Sequence, residues 1–168
     1  MNAIVIVGAP GAGKSTIGSL LAKRLACSFV DTDKLIEQRA GAPISDIFVS
    51  QGEPAFRDLE RTVVCDVLRE RDGVVSLGGG SVLDPRTRED LAAHTVVWLQ
   101  VSVNAAVQRV GMNTARPLLL GNVRGTMTKL LNERNALYAE VATIVIDTDA
   151  RSSGEIVTEI MQSLEVSR

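Results

Sequence analysis

Ile4-Val5-Ile6-Val7-Gly8-Ala9-Pro10-Gly11-Ala12-Gly13-Lys14-Ser15-Thr16 is the stretch on which the fold of this 168-residue chain turns. Four β-branched residues in a row, Ile4 to Val7, suit a strand buried on both faces. Gly8 to Ser15 is a full match to the phosphate-loop pattern G-x-x-x-x-G-K-[ST]. From Ser15 the apolar spacing turns helical, with Ile17, Leu20, Leu21 and Leu25 on one face. Strand, glycine loop and helix follow one another without a gap. That order is what a triphosphate cradle needs. Glycines let the backbone curl around an anion, and the helix N-terminus adds partial positive charge. Lys14 is placed to meet the β- and γ-phosphates, Ser15 to ligate Mg²⁺ and Thr16 to reach an α-phosphate.

Outward from this stretch, short apolar runs alternate with helical spacing. Strands are expected at 27–30, 74–77, 95–101 and 143–147. Helices are expected at 34–40, 55–71, 84–93, from 102 to about 110, at 126–141 and after the capping box Ser152-x-x-Glu155. Residues 111–125 hold three glycines and Arg116-Pro117, and read as a mobile loop. Five strands alternating with helices predict an α/β domain, a parallel sheet covered on both faces. Ligands of such sheets bind beyond the carboxyl ends of the strands. The chemically loaded residues fall there: the glycine loop, Asp31 and Asp33 after the second strand, and Gly78-Gly79-Gly80 after the third.

Each of these groups has a chemical reading. Asp31 and Asp33, two apart on an extended chain, project to one side; Asp31 can hold Mg²⁺ through water and Asp33 can take a proton from a substrate hydroxyl. Three successive glycines cost about 2–3 kcal/mol of backbone entropy when ordered, so a ligand close to backbone N–H groups is the expected reason for them. Arg57 and Arg134 suit a bidentate grip on a carboxylate. Arg116, in the glycine-rich loop, suits an arginine that closes on the phosphates.

Composition narrows the class. The chain is 45% hydrophobic but only 3% aromatic, so its core is aliphatic. One domain, 1–168, is expected. A net charge of −2 gives no support for a nucleic-acid or anionic-membrane partner. Basic residues do gather late: Arg109, Arg116, Arg124, Lys129 and Arg134 face only Glu133 and Glu140 between 102 and 146. Cys27 and Cys65 lack metal-ligand spacing and read as small buried thiols in a reducing compartment. The first apolar run is too short to span a membrane and has no basic leader, so a cytoplasmic protein is expected. His94, the single histidine, reads as structural, and the chemistry must run without a histidine base.

Taken together the chain resembles the shikimate kinase family over essentially its whole length. The similarity lies in residues 11–16, in Asp31-Thr32-Asp33, in 52–60, in Ser76-Leu77-Gly78-Gly79-Gly80, in Arg116-Pro117-Leu118-Leu119 and in 134–142. The resemblance implies a P-loop NTPase of the three-layer, nucleoside monophosphate kinase-like kind, with a substrate-binding region near 33–60 and a lid near 111–123. It implies ATP and Mg²⁺, and transfer of a phosphoryl group to the 3-hydroxyl of shikimate in aromatic amino-acid biosynthesis. Carried over by position, Gly11, Ala12, Gly13, Lys14, Ser15 and Thr16 bind ATP, with Arg109 and Arg151 flanking the adenine and Arg116 on the lid. Lys14, Asp33 and Arg116 are the catalytic set, and Ser15 and Asp31 hold the metal. Asp33, Arg57, Gly79, Gly80 and Arg134 hold shikimate. Some relatives place a proline after the segment matching Ala150-Arg151, where this chain has Ser152-Ser153. A monomer is expected. Two other readings stay open: another small-metabolite kinase of this fold, such as a gluconate kinase, and a non-catalytic nucleotide-binding switch.

Overall fold

In the computed structural model, which describes residues 2–70, 72–111 and 122–166, the first apolar run becomes β1 (Ile4–Val7). The glycine loop leads from it into α1 (Lys14–Leu25). Then follow β2 (Phe29–Asp31), α2 (Thr32–Ala40), α3 (Ile44–Glu70) and β3 (Val74–Ser76). A 3₁₀ turn (Ser81–Leu83) precedes α4 (Pro85–Leu91), β4 (Thr95–Gln100), α5 (Val103–Gly111), α6 (Val123–Val141), β5 (Ile144–Asp147) and α7 (Ser153–Val166).

The five strands form one parallel sheet in the order β2-β3-β1-β4-β5. β1 lies at the centre, with Ile4 opposite Val74 on one side and Thr95 on the other. After β3 the chain crosses β1 to continue on its far side. The crevice at this reversal is where the phosphate loop leaves β1. Right-handed crossovers that move in opposite directions along a sheet put their helices on opposite faces. Accordingly α1 packs against α7 on one face, while α3 and α6 gather at the 3₁₀ turn on the other. The core between is aliphatic as expected: Val5, Ile6, Leu21, Val97, Leu99, Met127 and Ile160 are fully buried. No helix among the described residues is long and apolar enough to cross a membrane.

Several boundaries move from the expected ones, each for a local reason. β2 starts two residues late, and Asp31 ends it while capping α2: its Oδ1 accepts from the N–H groups of Asp33 (3.0 Å) and Lys34 (3.3 Å). Helix therefore begins at Thr32, and Asp33 lies in a first helical turn. The two carboxylates are not the extended, same-side pair expected of them. α6 begins at Val123 and not near Thr126, because the Asn122 side chain accepts from Gly125 N–H (3.0 Å) and caps it. α3 carries Pro54 and breaks at Gly52 (φ 83°), so the helix expected at 55–71 continues an earlier helical stretch across a kink. The cysteines are a clear correction: Cys27 is exposed and Cys65 half-buried. Cys27 follows the left-handed C-cap Ala26 (φ 52°), where the chain leaves α1 for the surface. His94 is structural as expected, its Nδ1 accepting Ala3 N–H at 3.1 Å, and burial lowers its pKa.

Asp84 offers a pH test of one cap. Its carboxylate accepts from Arg86 N–H at 2.9 Å to cap α4, and pairs with the Arg86 guanidinium at 2.7 Å. The hydrogen bond from the Arg86 side chain holds the Asp84 carboxyl down at about 2, below its ordinary 3.8. A depressed pKa stabilises the folded state fully above the ordinary value and loses that contribution as pH falls through the lower one. Asp84→Ala is expected to cost about 1 kcal/mol at neutral pH in urea unfolding. The difference from the parent protein should shrink between pH 4 and pH 2, the window set by those two pKa values.

Candidate active site

The site is built at the carboxyl ends of β1, β2 and β3. In the loop after β1, Gly11 (φ 83°) and Gly13 (φ 88°) take left-handed backbone that a side chain would strain. A Cβ on Gly11 would also lie 2.9 Å from Val110 Cγ2, so the loop sits tightly on α5. Gly13 caps α1 without a side chain, which leaves the helix N-terminus open to an anion. Lys14 Nζ donates to Ala9 O at 3.0 Å, so the ammonium folds back over the loop.

Ser15 Oγ donates to Asp31 Oδ2. With its other oxygen on the α2 cap, Asp31 is fixed between a helix N-terminus and the phosphate loop. A hydroxyl and a carboxylate in contact are two hard oxygen donors of the kind Mg²⁺ takes, the rest of its shell being water and phosphate. Thr32, fully buried, donates to Ser76 O (3.2 Å) and accepts Gly78 N–H (3.3 Å), so it locks the end of β2 to the end of β3.

The three glycines are explained by what surrounds them. A Cβ on Gly78 would lie 2.6 Å from Asp33 Oδ1 and 2.9 Å from Glu60 Oε2. One on Gly79 would lie 3.1 Å from Pro10 Cδ and 3.5 Å from Arg134 Nη1. One on Gly80 would collide with the Arg57 guanidinium. Asp33, Arg57 and Arg134 thus converge on one bare stretch of backbone, which itself touches the phosphate loop.

Arg57 Nη1 donates to Glu60 Oε1 at 2.8 Å, and Nη2 pairs with Glu53 Oε1 at 3.4 Å. The guanidinium also sits 5.2 Å from the centre of the Phe56 ring. Glu60 is only 4% exposed, so its charge needs this partner. Arg134 is 5% exposed, and its Nε has no hydrogen-bond partner among the described residues. Two cavities adjoin Gly79 and Gly80. One of about 220 Å³ is lined by Lys14, Ser15, Asp31, Asp33, Gly79 and Arg109. The other, about 610 Å³, opens beside Arg57, Glu60, Gly80, Ser81 and Arg61.

Arg109 reaches the loop from α5, donating to Gly11 O (3.1 Å), Thr148 Oγ1 (3.2 Å) and Thr148 O (2.9 Å). Arg151 stands apart from both cavities, bonded to Asp147 O at 3.0 Å and paired with Glu159. Ser152 is used by its helix: its N–H donates to Glu155 Oε2 at 2.7 Å, and its Oγ accepts Glu155 N–H at 3.3 Å. Arg116 and most of the expected lid, 112–121, lie outside the described residues. The residues that sequence reasoning left without a role are Thr32, Glu60, Tyr138 and Thr148. Glu60 carried a signal, being three residues after Arg57 on one helix; Thr148 carried none.

The shikimate kinase family model matches residues 10–165 of the chain. The shikimate kinase of Mycobacterium avium is 52% identical over 161 residues, 95% of this chain and 92% of that one. The structure of shikimate kinase from Acinetobacter baumannii in complex with shikimate superposes with a TM-score of 0.95 at 33% identity, over 100% of this chain and 96% of that one. A gluconokinase from Sinorhizobium meliloti superposes at a TM-score of 0.68 and 24% identity, over 98% of this chain and 91% of that one, which is a likeness of fold alone. With Pro10 to Ser15 of its phosphate loop, its acid pair and its triple glycine inside the matched span, the chain belongs to the shikimate kinase family.

Proposed function

We propose that the protein transfers the γ-phosphoryl group of ATP to the 3-hydroxyl of shikimate, giving shikimate 3-phosphate and ADP. The observation that carries this reading is the convergence of Asp33, Arg57 and Arg134 on Gly78–Gly80, against a phosphate loop. A small acid with several hydroxyls fits there. Arg57 and Arg134 take its carboxylate, the Gly79 and Gly80 backbone lies along its ring, and Asp33 takes a ring hydroxyl.

In the transfer the hydroxyl oxygen bonds to the γ-phosphorus as the bond to the ADP oxygen breaks. The hydroxyl proton passes to Asp33. Lys14 and the loop at Gly11, Ala12, Gly13, Ser15 and Thr16 hold the phosphates, the Ala12 N–H shaping the loop through its bond to Ala9 O at 3.1 Å. Ser15, and Asp31 through water, would hold Mg²⁺, which when bound neutralises phosphate charge. Arg116 is assigned the same task from the lid, and Arg109 and Arg151 the flanks of the adenine. Because the transition state is loose, orientation outweighs proton removal, and Asp33 acts chiefly by orienting the hydroxyl and accepts its proton late. Asp33→Asn is expected to lower kcat about tenfold, short of the roughly 10²–10⁴ that a positioned general base supplies. A variant with full kcat and only a raised shikimate KM would remove proton acceptance from this account.

The reading is of a cytoplasmic monomer, and the two free cysteines fit a reducing compartment. A coupled assay with ATP, Mg²⁺ and either shikimate or gluconate, side by side, tests it. Turnover with shikimate and not gluconate is expected; preference for gluconate, or nucleotide binding without acceptor-dependent turnover, overturns it.

A further inference from the structure

Tyr138 is a buried phenol for which the phosphoryl transfer above has no use. It lies one turn beyond Arg134 on α6, so the two side chains leave the same face of the helix. It is fully buried, with its ring 5.9 Å from that of Trp98. Its hydroxyl donates to Gly79 O at 2.6 Å, across 59 positions of sequence. The Arg134 guanidinium lies close enough for its charge to act on this hydroxyl. Burial pushes the Tyr138 pKa up to about 12, and the charge and hydrogen bonding of Arg134 act against that rise. The phenol therefore stays protonated and is a permanent donor.

The geometry of the peptide gives this bond a consequence. Gly79 C=O and Gly80 N–H belong to one planar, trans unit and point in opposite directions. A hydroxyl that holds the carbonyl toward α6 turns the Gly80 N–H away from α6. Among the described residues no other hydrogen bond to the Gly79 carbonyl or from the Gly80 N–H fixes that plane. Glycines rotate freely, and the backbone bonds of the turn run from Ser81 N to Gly78 O and from Leu83 N to Gly80 O, on either side of this unit. Arg134 Nη1 lies 3.5 Å from where a Gly79 Cβ would stand, so the guanidinium and the hydroxyl approach the same glycine.

We infer that Tyr138 is a positioning residue for the acceptor: its hydroxyl couples the Gly79–Gly80 peptide to the Arg134 guanidinium, so that one N–H and one cation are presented to the acceptor carboxylate as a unit. The inference rests on the reading of the acceptor given above. Tyr138 touches neither substrate nor nucleotide and acts only through these two groups.

Tyr138→Phe keeps the ring on Trp98 and removes the hydroxyl alone. Its shikimate KM is expected to rise about tenfold while its ATP KM stays within about twofold of the parent value, as for a lost hydrogen bond to a charged or polarised partner. Combined with Arg134→Lys, it should add much less than its separate effect, because both changes break one unit. A merely structural role would lower the active fraction, reducing kcat with both KM values unmoved. That result, or additivity in the double variant, overturns the inference. Should the variant be destabilised, the stabilisation that saturating shikimate gives in thermal melts replaces the assay: a shift as large as the parent's overturns the inference, and a much smaller one supports it. The parent enzyme's own turnover with shikimate tests the functional reading separately, so failure of one is not mistaken for failure of the other.

Discussion

Lys14→Ala is expected to lower kcat about 10³-fold at saturating ATP and shikimate, the scale of losing a preorganised group that meets charge developing in a transition state. The phosphoryl group in flight spreads its charge over its oxygens, and little covalent work is asked of the protein. What it contributes is fixed positive charge. Lys14 is the cation built into the loop itself, half-buried and held over the loop by its bond to Ala9 O at 3.0 Å, a bond it exchanges for phosphate oxygens when ATP arrives. Alanine is a good residue for the first turn of α1, and the glycine conformations of the loop do not depend on the ammonium. The melting temperature should therefore stay near the parent value while turnover collapses. Stopped-flow or coupled assays across ATP concentrations check this. A loss that appears in the ATP KM and leaves kcat intact would mean that Lys14 binds ground and transition states alike, against the role given to it.

Arg57→Ala is expected to show two separable losses. The first is stability. Glu60, 4% exposed, is paired in the interior with Arg57 Nη1 at 2.8 Å. Removing the cation leaves a buried carboxylate uncompensated, a change that costs about 3 kcal/mol in urea unfolding. The second is the acceptor: the shikimate KM should rise about 10²-fold, as charge-assisted hydrogen bonds to a carboxylate disappear. Adding Glu60→Gln separates the two. The double variant should recover most of the stability, since no unpaired charge remains, while its shikimate KM stays high. Recovery of KM in the double variant would mean that Arg57 serves only to neutralise Glu60. A single variant as stable as the parent would mean that Glu60 is paired by something other than Arg57.

The gap between chain and site follows a physical divide. The phosphate loop was legible because its chemistry is local: Gly11 and Gly13 need a backbone that neighbours along the chain specify, and Lys14 and Ser15 follow in the same turn. Helical spacing is local in the same way: Phe56, Val63 and Val67 share one face of the helix expected at 55–71, and all three are buried. Asp33 was expected as a site residue on an extended geometry that the structure does not have. The extended geometry expected of 31–33 gives way to a helix start, because the Asp31 side chain caps α2, and the two acids serve different neighbours, Ser15 and the Gly78 region. Glu60, three residues after Arg57, signals an ion pair but not its burial, and Tyr138 carries no sign that distinguishes a hydrogen-bonding phenol from a core ring.

By itself the sequence determined the alternation of strand and helix, the triphosphate loop and the set of acids, glycines and arginines available to an acceptor. Each of these rests on interactions within a few residues. The tertiary structure decided the strand order β2-β3-β1-β4-β5, and with it which ends meet. By laying β3 between β1 and β2 it brings Gly78–Gly80 against Asp33, Arg57 and Arg134, and hands Gly79 O to Tyr138. No local propensity encodes those meetings, because their partners lie tens of positions apart and are joined only when the two faces of the sheet are covered.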